Sequence, residues 1–334
     1  MSRIAVVGAG VAGLAAARAL TDAGHQVVVF EKAAGPGGRM ATRVARNVEQ
    51  SRGSTGLAFD HGAQYFTVRE PRFAAMVEQW ERDRLVAEWS PRLVSFDGEG
   101  WEDVATAVTR YVGVPGMGAI TNALAQPLDV RYSHPVESAE PLTREFDRVI
   151  VAVPCGQAKA LVTGMPALET RLAAVTMKPC WAVLAAFEEP VAARFDAAFV
   201  SGSALGWIAR NQSKPKRDWK VDTWVLHATT TWSAAHIDDQ ADLVGAFLME
   251  AFEDLVRAGL PRAFYATAHR WRSAVADPPL AIGAIHDPES RITLCGDWCA
   301  GSRVEDAFLS GLAAAESRET TKNTKTNHEE DEES

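Results

Sequence analysis

Gly8, Gly10 and Gly13 stand in G-x-G-x-x-G spacing, and Glu31 follows 18 residues after the last of them. The chemistry open to this set is the binding of a dinucleotide. Gly8 permits a tight turn, Gly10 lets the backbone approach a pyrophosphate, and Gly13 lets a helix pack closely on a strand. Unpaired N–H groups and the positive dipole end of a helix attract phosphate, while an acid at the end of the next strand accepts from adenosine ribose hydroxyls. Such glycine spacing arises by chance, so its context decides. Residues 3–8 read as a buried parallel strand, 14–23 as an alanine-rich helix stopped by Gly24, and 26–30 as a second apolar strand ending at Glu31. Together they make a βαβ unit.

Elements beyond this unit follow from pattern. Apolar spacing near 3.6 predicts a helix from Pro71 through Leu85, a second over 118–126 and a third over 240–258. Strands are expected at 130–136, 149–153, 181–187, 223–230 and 292–298, the last ending in Gly296-Asp297, and a helix over 304–315. The chain of 334 residues is long enough for two domains. Its 47% hydrophobic and 23% charged content excludes wholesale disorder. With 34 basic and 43 acidic residues the net charge is −9, which argues against a nucleic-acid binder. Four scattered cysteines form no C-x-x-C pair and no zinc set, and read as plain thiols of a reducing, cytoplasmic compartment. The apolar start is broken by glycines, unlike a secretory signal, and no run of 18 apolar residues suggests a membrane span.

Gly37-Gly38-Arg39-Met40, close behind Glu31-Lys32, narrows the choice of dinucleotide. A glycine pair admits close approach and an arginine neutralises phosphate; a solvated loop arginine is the competing reading. The sequence here resembles the second signature of flavoprotein amine oxidases and phytoene desaturases. Pro115-Gly116-Met117-Gly118 and the run Val149 to Pro154 are similar to that superfamily's middle segments, and Leu294-Cys295-Gly296-Asp297 followed by Glu305-Asp306-Ala307 resembles its C-terminal flavin motif. The resemblance implies non-covalently bound FAD, with contacts from Gly8, Gly10, Ala12, Gly13, Glu31, Lys32, Gly38, Arg39, Met40, Gly62, Ala63, Gln64, Val136, Asp297, Val304 and Glu305. Asp297 would accept from a ribityl hydroxyl, or else cap a helix. Val136 would meet the adenine, or serve as plain edge strand.

Within that superfamily the finer likeness is to bacterial renalases. It is carried by Asp60-His61-Gly62-Ala63-Gln64-Tyr65-Phe66-Thr67, by Lys178-Pro179-Cys180-Trp181, by the run from Trp207 to Pro215, by Trp224 to Thr229, and by His269-Arg270-Trp271-Arg272. This resemblance implies oxidation of off-pathway 2- and 6-dihydro isomers of NAD(P), with hydride passed to flavin and O₂ reduced to H₂O₂. Substrate contacts would come from Gln64, Tyr65, Arg210, Asn211, Lys214 and His227. No side chain is assigned a catalytic role and no metal is expected, because the cofactor's ring takes the hydride. Lys214, Lys216, Arg217 and Lys220 form a basic run that either attracts substrate phosphate or is a solvated loop. No membrane, nucleic-acid or protein partner is implied.

The expected architecture is α/β. A discontinuous Rossmann-type FAD domain would comprise 1–72, 101–156 and 265–316. A substrate domain with an antiparallel sheet and helices would comprise 73–100 and 157–264, and 317–334 would be a disordered acidic tail. Residues 43–56 look like a charged insertion beside the flavin edge. Two other functions remain open: a flavin amine oxidase, and a non-catalytic dinucleotide sensor. A nicotinamide-fed reductase is disfavoured because no second G-x-G-x-x-G exists.

Overall fold

A computed structural model describes residues 1–317 except 52, 106 and 218–220. Lys220 and the tail from 318 onward therefore lie outside the described residues.

The chain opens with β1 (Arg3–Val7), α1 (Val11–Asp22) and β2 (Gln26–Phe30). Ile4, Ala5, Val6 and Val7 are all buried, as a strand covered on both faces must be. Their alternation serves two cores: Ile4 and Val6 face α1, whereas Ala5 and Val7 face the opposite helical layer. Next come β3 (Thr42–Gln50), β4 (Gly53–Asp60) and α2 (Pro71–Arg82). Short strands β5 (Val86–Glu88), β6 (Leu93–Phe96), β7 (Trp101–Asp103) and β8 (Tyr111–Gly113) precede α3 (Gly118–Ala125) and β9 (Asp129–Arg131). The middle of the chain supplies α4 (Leu142–Glu145), β10 (Arg148–Val151), α5 (Cys155–Leu161) and α6 (Pro166–Ala173). Then follow β11 (Met177–Phe187), β12 (Ala197–Val200), β13 (Leu205–Arg210), β14 (Asp222–Ala228), α7 (Thr230–Ala235), α8 (Ala241–Val256) and β15 (Ala263–Ala276). The chain closes with β16 (Ile285–Asp287), β17 (Ile292–Leu294), α9 (Asp297–Ala300) and α10 (Val304–Glu316).

Two sheets organise these elements. The first has the order β16-β17-β10-β1-β2-β9 and is parallel except at the β16 edge. The second has the order β15-β11-β14-β13-β12-β6-β7 and is antiparallel except where β6 meets β12. One face of this second sheet packs Trp181, Trp224 and Leu226 against Leu248 and Phe252 of α8. Its other face turns toward the dinucleotide domain.

The structure corrects several boundaries. β15 pairs with β11 along nearly its whole length, so a domain boundary at 264/265 would cut a strand. β7 pairs with β6 and belongs to the second sheet, not to the FAD domain. Conversely, α2 packs Phe73 and Trp80 on Phe308 of α10, on the dinucleotide side. The strand expected to reach Val136 stops at Arg131, because Ser133 turns with φ 53°. Ser133 and His134 then donate to the carbonyls of Ala33 and Glu31, leaving Val136 half-buried beyond the turn. Residues 43–56 are no loose insertion: β3 and β4 form an antiparallel hairpin with a bulge between Ala45 and Val48. Leu57 and Phe59 of β4 seal against Leu184, Ala186 and Val225 of the second sheet.

Candidate active site

The glycine turn after β1 is built as its spacing requires. A Cβ on Gly13 would lie 2.0 Å from the Gly8 carbonyl oxygen, and one on Gly8 would lie 2.7 Å from that of Ala152. By contrast, a Cβ on Gly10 would meet nothing within 4 Å. Gly10 is also the N-cap of α1, and no side chain caps that helix. The N–H groups of Val11, Ala12 and Gly13 find no acceptor among the described residues, since the first helical bond runs from Leu14 to Gly10. Open space before a row of unpaired donors at a helix N-terminus is an anion cradle. Glu31 is held beside it, accepting from the N–H of Ala9 and of Ala33, both at 2.8 Å. Lys32 instead reaches away and donates to Gln157.

Three further segments converge on this turn. Gly37 donates to the Ala9 carbonyl at 2.9 Å. Ala63 donates to the Arg39 carbonyl at 2.9 Å, and a Cβ on Gly62 would fall 2.0 Å from that same oxygen. Arg39 crosses to the C-terminal motif, where its two terminal nitrogens grip Asp297 at 2.5 and 2.8 Å while one also donates to the Ala274 carbonyl. The arginine expected at a phosphate and the acid expected at a ribityl hydroxyl are thus each other's partner. α10 comes so close to α1 that a Cβ on Gly311 would lie 2.1 Å from the Ala12 carbonyl. Met40 is buried beneath the turn. Glu305 is buried too and accepts from the N–H groups of Arg69 and Glu70, so its carboxylate anchors the loop before α2. Val304 opens α10, as expected. The unpaired donors, the open space at Gly10 and the acid at the end of β2 fit the binding of a dinucleotide.

The Gly62–Ala63 turn rests on a buried ionic cluster. Asp60 pairs with Arg217 at 2.7 Å and with Lys214 at 3.2 Å, and all three side chains are at most 1% exposed. Burial pushes the Asp60 carboxyl up, but the charges of Lys214 and Arg217 outweigh it and hold it at about 2. Burial also brings the Lys214 ammonium down to about 8, against the pull of Asp60. Lys214 further donates to Gln64 and to Asn211, while the Gln64 amide donates to the Asp60 carbonyl. Asn211 donates to the carbonyl of Ala58. Lys214 and Arg217 are therefore neither a solvated loop nor a surface bait for phosphate; among the described residues of that run, only Lys216 is exposed. Lys214 ties the side chains of Gln64 and Asn211 together, and the three position the loop. Arg210 is likewise corrected: it pairs with Asp222, donates to Val191 and covers Trp224, on the α8 face.

What faces the turn is the inner side of the second sheet. His227 and Trp271 both bond the His61 carbonyl, at 3.1 and 2.9 Å. His61, His269 and Trp271 pack ring to ring with centroids 4.4–4.9 Å apart. Burial lowers His61 to about 3 and His227 to about 4, and His269 shifts the same way, so all three imidazoles are neutral at pH 7. Tyr65 packs at a tilt against Trp89 and Trp207, and Trp207 packs on Phe199. Asp60, His61 and Trp271 are not among the expected site residues. Asp60 and His61 at the end of β4 and Trp271 on β15 share no local spacing that could have revealed them.

A family model described as flavin containing amine oxidoreductase matches residues 108–317. The chain belongs to that family. A second model, a NAD(P)-binding Rossmann-like domain, matches residues 6–80. Membership makes FAD the cofactor of this chain, in agreement with the cradle. The chain is 42% identical over 76 residues to protoporphyrinogen oxidase 2, chloroplastic/mitochondrial, of Arabidopsis thaliana, a match covering 23% of this chain and 13% of that protein. Among solved structures it is similar to an oxidoreductase from Methanosarcina mazei, with TM-score 0.69 and 12% identity over 94% of this chain and 100% of that one. It is also similar to a putrescine oxidase variant, with TM-score 0.66 and 14% identity over 94% and 98%. These structural likenesses bear on the fold. No helix among the described residues is long and apolar enough to cross a membrane.

Proposed function

We propose that this flavoprotein oxidises off-pathway dihydro isomers of NAD(P) to NAD(P)⁺. The observation that carries this reading is the character of the inner sheet face. Three neutral imidazoles, Trp271, Trp207 and Tyr65 line it, and among the described residues no carboxylate pairs with them there. A planar, uncharged dihydropyridine ring suits such a wall by stacking, whereas a protonated amine would find no counter-carboxylate there. FAD supplies the hydride acceptor and, on reoxidation, the route of two electrons to O₂. The net change is dihydro-NAD(P), O₂ and one proton giving NAD(P)⁺ and H₂O₂.

The protein's own share is positional. The Asp60 cluster and the bonds from His227 and Trp271 fix the backbone of residues 60–64, which fixes where a ring can lie. Trp207 and Trp89 are buried and keep water from their part of that side. Aromatic rings also attract cations, so the Tyr65–Trp207–Phe199 group supports a second reading as an amine oxidase.

Anaerobic titration of the flavin band separates the two. Borohydride-generated dihydro-NAD isomers are expected to bleach it at once, with NAD⁺ formed and colour returning in air. Bleaching by primary amines and not by the isomers would transfer the protein to the amine oxidases. Binding of FAD with no bleaching by either class would leave a sensor.

A further inference from the structure

If the substrate is a dinucleotide, its diphosphate needs a cation near the imidazole wall, and most of the arginines nearby are already committed. Arg39 is held by Asp297, Arg217 by Asp60 and Arg210 by Asp222. Arg110 stacks on Tyr65 and donates to the Val108 carbonyl. Arg43 is different. It is exposed, and no carboxylate lies within ion-pair distance of it among the described residues.

The hairpin register sets where Arg43 stands. Thr42 pairs with Asp60 and turns toward the dinucleotide domain, where its hydroxyl donates to Asp60 and accepts from Gly118. Strand alternation then puts Arg43, the partner of Phe59, on the opposite face. Phe59 stacks on Tyr265 of β15 at 5.7 Å, so this face looks onto the inner side of the second sheet. Beyond burial and contacts among the histidines, the Arg43 charge itself lowers the basicity of His61 and His269. The guanidinium is therefore close to the wall and open to solvent.

We infer that Arg43 holds the diphosphate of the substrate and so selects dinucleotides over free dihydropyridines. The inference rests on the proposed function and gives the β3–β4 hairpin a role: it carries a guanidinium to the edge of the imidazole wall. A guanidinium binds phosphate oxygens through paired N–H donors.

The test uses FAD-loaded enzyme and ADP-ribose, which has the diphosphate but no nicotinamide. Calorimetry is expected to show binding that weakens at least tenfold in Arg43→Met and is partly restored in Arg43→Lys. Arg46→Met, which removes the same charge from the same hairpin, is expected to stay within twofold. Flavin reduction by the dihydro isomers of 1-methylnicotinamide, which lack phosphate, is expected to be unchanged in Arg43→Met. Equal ADP-ribose affinity in wild type and Arg43→Met, equal losses in both arginine variants, or no binding by the wild type would each overturn the inference. Arg43-dependent binding without bleaching by dihydro-NAD isomers would retain the site and remove the oxidase reading. Bleaching with the same half-saturation in wild type and Arg43→Met would do the reverse.

Discussion

The dinucleotide cradle and the inner face of the second sheet meet across residues 60–64, yet they are built by opposite means. The cradle is made of absences: no Cβ on Gly8, Gly13 and Gly62, no side-chain cap on α1, and open space above Gly10. Its donors are backbone groups. The facing wall is made of side chains from several strands, and behind the turn two buried cations share one carboxylate. A backbone cradle is indifferent to most side chains and strict about a few. A side-chain cluster depends most on the member the others share, because removing Asp60 leaves both cations unpaired in a poor solvent.

That contrast predicts the largest single effect. Asp60→Asn strands Lys214 and Arg217 as two buried cations and should cost about 3–5 kcal/mol. The expected readout is poor soluble yield, or a melting temperature lowered by roughly 10 °C. Lys214→Met leaves the Asp60–Arg217 pair intact and removes the excess charge, so its melting temperature should change far less. Equal losses in the two variants would mean that packing, not charge balance, holds the cluster.

A second prediction concerns acid. His61 and His227 take up protons at about 3 and about 4 in the folded protein, against 6.5 for a free imidazole. Between pH 6.5 and 4 the unfolded chain therefore binds more protons than the folded one, and stability falls as pH falls. The loss should amount to a few kcal/mol on the order of one to two pH units of linked titration per histidine. Asp60, held at about 2 against 3.8, adds a further loss below pH 3.8. Urea melts at pH 8, 7 and 5 should show the midpoint little changed over the first step and clearly reduced over the second. His227→Asn should shallow that slope without moving the cradle.

The two regions were also unequally legible in the sequence. Gly8, Gly10, Gly13 and Glu31 lie within one βαβ unit, so their spacing is the geometry, and the fold class followed from them. Gly62 and Asp297 were placed by resemblance, and the structure brings both to Arg39. The inner face was another matter. His227 on β14 and His269 and Trp271 on β15 meet His61 only through sheet order and register. The basic run misled for the same reason: Lys214 and Arg217 look solvated until β4 delivers Asp60 to them. Arg210 and Asn211 are adjacent in sequence, yet one serves the α8 face and the other the turn at Asp60. Which side of a sheet a residue serves depends on where its strand ends.

The smallest predicted change in stability is also the most discriminating test of the cradle. Gly10 has φ −79° and ψ 176°, a conformation open to any residue, and its missing Cβ has no protein neighbour within 4 Å. Gly10→Ala should therefore leave the melting temperature of flavin-free protein within about 1 °C, a shift worth less than 0.5 kcal/mol. The added methyl group would project into the space before the unpaired N–H groups of α1, so the purified protein should carry much less FAD. Gly13→Ala differs in kind: its Cβ would meet the Gly8 carbonyl at 2.0 Å, forcing the turn itself to move at a cost of about 1–3 kcal/mol. Flavin-to-protein absorbance ratios and melting curves of stripped protein distinguish the pair. Loss of FAD in both variants, with destabilisation only in Gly13→Ala, is the expected result. Full FAD content in Gly10→Ala would mean that the cofactor's phosphates do not approach this turn, and the cradle would have to be sought elsewhere.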